Sequence, residues 1–182
     1  MSSAVGIFLF KYLRKALSCK QEAELDLLKE YSPKWMCHFD DDTFLNYKNL
    51  KSTLALYDSS DYHYLGKQSI SDPIKIKYQD RFGKIQQPDG FTFATGGAGW
   101  CLSRPLYLLA NSKSIMDFLS REDIGGFESF SSVTGLPDDM LIGFIISKLK
   151  VEMKNLKIFH SHLENLRKLN NLDSQVSTLS TG

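Results

Sequence analysis

Three consecutive carboxylates, Asp40, Asp41 and Asp42, follow a short apolar stretch carrying Trp35, Met36, Cys37 and Phe39. Adjacent like charges repel unless water or a cation neutralises them. Hard carboxylate oxygens suit Mg²⁺ or Mn²⁺, and open α/β sheets bind ligands at the carboxyl ends of their strands. One reading is therefore a metal site that helps hold a phosphate-bearing ligand. The other is a polar turn whose Asp42-Thr43 caps the next helix. A second acid pair, Asp138-Asp139, follows Leu136-Pro137. Acids are favoured in a first helical turn, so capping explains the pair, although one acid would suffice for a cap. His160 and His162 are two residues apart, so on a strand they point to opposite faces, and only one can serve a given site. A His there is either a metal ligand or an ordinary buried or exposed imidazole. Gly96-Gly97-Ala98-Gly99 allows close approach of a ligand, or a tight turn packed under a helix. It is neither a dinucleotide fingerprint nor a P-loop.

These residues need a scaffold. The spacing predicts a helix over Gln21–Glu30, ended by Tyr31-Ser32-Pro33, then a strand over Lys34–Phe39 that stops on the acids. A second helix is expected over Asn46–Tyr57, and strands at Tyr62–Leu65 and, half exposed, at Ile74–Tyr78. Arg81–Gly90 reads as a loop, and a strand of aromatics from Phe91 runs into the glycines. Helices are expected at Pro105–Ala110, Ser114–Leu119 and Met140–Leu149, with Gly125–Thr134 as a mobile active-site loop. Phe159–His162 reads as a short strand end, and Asn165–Gly182 as a polar, frayed tail.

The chain has 182 residues, enough for one domain, and 42% are hydrophobic. Its net charge of +1 points to neither nucleic acid nor an anionic membrane as main partner. The apolar patch Ala4–Phe10 is too short to span a bilayer, and its basic residues follow rather than precede it. It reads as the start of a core element. Cys19, Cys37 and Cys101 match no zinc spacing.

Taken in order, ALSCK (Ala16–Lys20), KWMCHFDDD (Lys34–Asp42), YLGK (Tyr64–Lys67), FATGGAGWCLSR (Phe93–Arg104), LPDD (Leu136–Asp139) and FHSHLENL (Phe159–Leu166) resemble the Fringe family of β-1,3-N-acetylglucosaminyltransferases. The resemblance implies an α/β, GT-A-like glycosyltransferase domain over residues 16–166, with an atypical head at 1–15 and a tail at 167–182. It implies a Mn²⁺-dependent inverting transfer of N-acetylglucosamine from UDP-GlcNAc to O-linked fucose on EGF-like repeats, as in Notch-type glycoproteins. By similarity Asp41 contacts the nucleotide-sugar, Asp42 and His162 hold the metal, and Asp139 is the catalytic base. Cys37 and Cys101 match a family disulfide. Asp40 acquires no role. A luminal Golgi membrane location follows by the same resemblance, although no targeting segment or anchor is evident.

Only 39 residues precede Asp40, fewer than the family places there. Part of the N-terminal nucleotide-binding half is therefore expected to be missing, and with it sheet that should flank the acid-bearing strand. Cys19 lacks its upstream family partner, and Met140 stands where vertebrate Fringe proteins carry Cys. The rival expectations are a truncated, inactive Fringe-like fragment and a related β-1,3-glycosyltransferase using another UDP-sugar.

Overall fold

The computed structural model describes residues 5–8, 24, 27–28, 30–40, 42–79, 84–110, 135–161, 164 and 174–179. The expected helix at Ser114–Leu119 and loop at Gly125–Thr134 lie outside these residues.

The fold is mixed α/β. In chain order, β1 is Val5–Phe8, β2 Trp35–His38, β3 Thr43–Leu45, α1 Tyr47–Leu54 and β4 Tyr64–Gly66. Then come β5 Tyr78–Gln79, β6 Ile85–Gln86, a 3₁₀ turn at Gly96–Ala98, β7 Trp100–Ser103 and α2 Arg104–Ala110. Last are α3 Asp138–Lys148, β8 Met153–Asn155 and β9 Ser177–Leu179. The main sheet has the order β1-β2-β7-β4-β8, in which β7 runs antiparallel to both its neighbours and the other pairings are parallel.

Alternation sorts the side chains to two faces. Met36 of β2, Tyr64 of β4, and Trp100 and Leu102 of β7 join Leu28, α2 and α3 on one face. Trp35, Cys37, Leu65 and Cys101 join Leu50 and Leu54 of α1, with Phe39, Phe159 and Val176, on the other. The result is a sheet between two helical layers. Strand β7 is buried throughout, so it shows no polar alternation and was not anticipated as a strand. Helix α3 is likewise buried from Leu141 to Ile146.

Cys37 and Cys101 face each other across β2 and β7, with Cα atoms 4.1 Å apart, and form the expected disulfide. The bridge pins the register that also places His38 opposite Trp100.

Several expectations change. The apolar start supplies a strand of the main sheet, because β1 pairs in parallel with the whole of β2. Paired with β7 on its other edge, β2 is an internal strand with sheet on both sides. The C-terminal tail does not fray where it is described. Its β9 pairs with β3, and Val176 is fully buried in the core. The strand expected from Phe91 is reduced to single bridges at Phe91 and Ala94, and Ile74–Tyr78, left without a continuous partner, forms only the bridge of Ile74 to Phe91 plus the start of β5. The expected loop after Arg81 contains β6, a two-residue partner for β5. Phe159 likewise makes a single bridge, to Ser177. No helix among the described residues is long and apolar enough to cross a membrane.

Candidate functional site

The site forms where β2 ends and β7 begins. Because the two strands are antiparallel, the carboxyl end of β2 lies beside the Gly-rich turn that leads into β7. The N-terminus of α3 packs against the same end. Thus Asp40, Gly96 and Asp139, distant in sequence, come together. The Gly96 amide donates a 3.0 Å hydrogen bond to Oδ2 of Asp139. The position a Gly96 Cβ would take is 3.7 Å from Oδ2 of Asp40 and 3.8 Å from Cβ of Asp139. Small size at residue 96 therefore keeps open the space between two carboxylates. Gly99 has a different task. Its φ is +82°, and an added Cβ would lie 2.1 Å from a ring carbon of Phe39. Of the two readings of the Gly-rich stretch, the packed turn describes Gly99 and the open site describes Gly96.

Asp138 and Asp139 open α3, and the Asp139 Oδ1 accepts a 2.7 Å bond from the Met140 amide. One oxygen of Asp139 thus serves a first-turn amide of α3, whose N-cap Pro137 makes no side-chain cap bond, and the Gly-rich turn takes the other. Burial raises the carboxyl of Asp139 above the usual range, and the negative charges of Asp138 and Asp40 add to the rise. Hydrogen bonds from Gly96 and Met140 oppose it. Asp138 is raised too, chiefly by burial, with the positive charge of His38 working the other way.

His38 and Glu24 enter the site without having been singled out in the sequence. The Nδ1 of His38 is 2.9 Å from Oε2 of Glu24, and its Nε2 is 3.5 Å from Oδ1 of Asp40. Trp100 stacks on its ring at 5.3 Å. His38 and Glu24 are buried, while Asp40 is 40% exposed. Burial works against charge on His38. Hydrogen bonds to Asp40 and Glu24, and their negative charge, outweigh it and push His38 up to about 9. The alternation of β2 was a signal for part of this, since His38 and Asp40 share a face. Nothing local signals Glu24, fourteen residues earlier.

Asp42 is exposed, just before β3. Asp41 and His162 lie outside the described residues. The segment leading to His162 is described, and it packs at this end of the sheet. Phe159 stacks on Phe39 at 6.3 Å, and the His160 amide donates to the Ser177 carbonyl at 3.2 Å. Both ring nitrogens of His160 are engaged, one by Glu164 and the other by Oε1 of Gln175 at 2.8 Å. Glu164 also takes Lys67 at 2.7 Å. His160 is thus committed to structure. Among the described residues, no three His, Cys, Asp or Glu side chains group to hold a metal. A groove of about 430 Å³ lies elsewhere, between the C-terminal half of α3 and Phe91.

Fold and site together define a mixed α/β protein with a carboxylate cluster at the carboxyl end of an internal strand, faced by a Gly-rich turn. The chain belongs to the Fringe-like family, whose model matches residues 9–182. It is 44% identical over 154 residues to the "Fringe glycosyltransferase" of Drosophila melanogaster, covering 84% of this chain and 35% of that one. It is 40% identical to the "Beta-1,3-N-acetylglucosaminyltransferase lunatic fringe" of Danio rerio, over 86% of this chain and 40% of that one. It is 39% identical to the "Beta-1,3-N-acetylglucosaminyltransferase radical fringe" of Notophthalmus viridescens, over 87% and 38% respectively. The chain spans about two fifths of the length of these curated relatives.

Proposed function

We propose that this chain is the site-bearing part of an inverting, GT-A-like β-1,3-N-acetylglucosaminyltransferase that transfers the sugar of UDP-GlcNAc to O-linked fucose on EGF-like repeats of Notch-type glycoproteins. The observation that carries this reading is the meeting of Asp139 with Gly96 and Asp40. An inverting transfer needs a carboxylate that takes the proton of the acceptor hydroxyl. Asp139 has the features of such a group. Backbone amides of Gly96 and Met140 hold its two oxygens, each of which retains a further acceptor site. Its burial raises its basicity.

Asp42 and His162 would hold Mn²⁺, with Asp41 on the nucleotide-sugar. A carboxylate and an imidazole are a suitable donor pair for this ion. The packing of Phe159 on Phe39 supports the pairing, because it brings the chain three residues before each ligand to one end of the sheet. When bound, the ion supplies neutralisation of the departing diphosphate. The Cys37–Cys101 bridge fits an oxidising compartment, in keeping with a luminal Golgi location.

The test is isothermal calorimetry of UDP-GlcNAc with Mn²⁺, followed by transfer to an O-fucosylated EGF repeat. Expected are metal-dependent binding and a β-1,3-linked product. Absence of binding by folded protein sinks the reading, and preference for UDP-glucose or UDP-galactose replaces the donor.

A further inference from the structure

We propose that His38 is a positioning residue of this site, a buried imidazole that bridges Glu24 and Asp40 and holds the Asp40 carboxylate beside Gly96 and Asp139. The inference rests on the reading of Asp139 as the base, and it gives Asp40 a structural reason.

Three contacts and a neighbouring disulfide define the bridge. Glu24 meets Nδ1 at 2.9 Å, and Asp40 meets Nε2 at 3.5 Å. Trp100, the cross-strand partner of His38, covers the ring face at an interplanar angle of 15°. The neighbouring pair in the ladder is the Cys37–Cys101 disulfide, so the ring cannot shift along the sheet without breaking register.

A neutral imidazole has one N–H and cannot donate to two carboxylates at once. The charged ring directs an N–H to each, to Glu24 within hydrogen-bond distance and to Asp40 as an ion pair at 3.5 Å. Among the described residues, the charged groups facing it are Glu24, Asp40 just beyond the end of β2, and Asp138 from α3. All three are acids. With Asp139 beside them, four carboxylates gather at this end of the sheet among the described residues. One buried positive charge among them lowers their mutual repulsion and keeps Asp40 turned toward the site. Asp40 in turn faces the same gap at Gly96 that Asp139 faces. His38 is 2% exposed, so it acts on a ligand only through Asp40.

The experiment begins with the unaltered protein. Ring ¹⁵N and ¹³C resonances of His38 are followed between pH 6 and 10. Both nitrogens are expected to stay protonated at pH 7.5, and the Asp40→Asn variant should shift the midpoint downward. A neutral His38 ring at pH 7.5 overturns the proposal, whether or not the protein transfers sugar. His38→Gln and Asp40→Asn are then compared singly and together in the transfer assay. Each is expected to lower kcat by roughly tenfold or more, with a smaller change in KM for UDP-GlcNAc. The double variant should be no worse than the poorer single one, because the two residues act as a unit. Additive losses overturn the proposal. If His38→Gln does not fold, Glu24→Gln with His38→Gln removes both buried charges, and a kcat equal to that of the unaltered protein overturns it. A charged His38 in a protein that transfers no sugar refutes the proposed function and leaves the bridge standing.

Discussion

The Gly96 amide donates to Oδ2 of Asp139 across 43 residues of chain. This bond joins the Gly-rich turn before β7 to the first turn of α3. It orients the carboxylate proposed as base. Oδ1 of Asp139 serves the helix and Oδ2 serves the site.

Asp139→Asn can keep the Gly96 bond through its amide oxygen, but it loses the Met140 bond, because its NH₂ cannot accept an N–H. It cannot accept the proton of an acceptor hydroxyl. Transfer is expected to fall by about 10²–10⁴-fold in kcat. UDP binding in the presence of Mn²⁺, measured by calorimetry, should be retained. Turnover near that of the unaltered protein would remove Asp139 from the base role.

Asp42→Ala and His162→Ala should each weaken Mn²⁺ activation by at least roughly tenfold, a loss that even outer partners of metal ligands produce. Titrating activity against Mn²⁺ reads this directly. His160→Ala makes the contrast, since His160 bridges Glu164 and Gln175 and should change stability while leaving the Mn²⁺ midpoint in place.

The two glycines should separate packing from function. Gly99→Ala meets Phe39 at 2.1 Å on a left-handed backbone, and should cost about 3 kcal/mol or more in denaturant unfolding. Gly96→Ala finds ordinary contact distances of 3.7 and 3.8 Å. It should fold with little loss and yet impair transfer, because the methyl group fills the space between Asp40 and Asp139. Equal destabilisation by both substitutions would contradict this division.

Stability should depend on pH through His38. Its folded value, about 9, lies above the unfolded value of 6.5. Stability from its charge is therefore full below about pH 6.5 and is lost as pH rises through about 9, a change of roughly 3 kcal/mol. Urea midpoints at pH 6.5 and 9.5 measure the loss. His38→Gln should be less stable than the unaltered protein at pH 6.5, with the gap narrowing by pH 9.5. A gap that widens over this range would reverse the sign argued here.

Much of the scaffold was legible in the residues. The helix at Tyr47–Leu54 and α3 both fall where the spacing places them, but Asn46 and not Asp42-Thr43 caps the first, because Thr43–Leu45 is taken into β3. The apolar stretch before the acids is β2, and the motif order points to the family the comparisons show. Where the reading fell short, the missing information was non-local. Strand β7 carries Trp100, Cys101 and Leu102 without alternation because both its faces are covered. The polar tail forms β9 only because β3 offers an edge to pair with, and Val176 finds a pocket in the core.

The same division holds at the site. Residue types alone determined that carboxylates cluster at the end of a strand, that glycines allow close approach, and that a strand alternates its faces. They left Asp40 without a role and gave no sign of Glu24. Tertiary structure decided which acids meet, because that depends on long loops closing around a shared core. Antiparallel pairing of β2 with β7 sets the Gly-rich turn beside Asp40, and packing of α3 brings Asp139 to Gly96. Burial then set the charges, pushing His38 up between Glu24 and Asp40 and raising the carboxyl of Asp139.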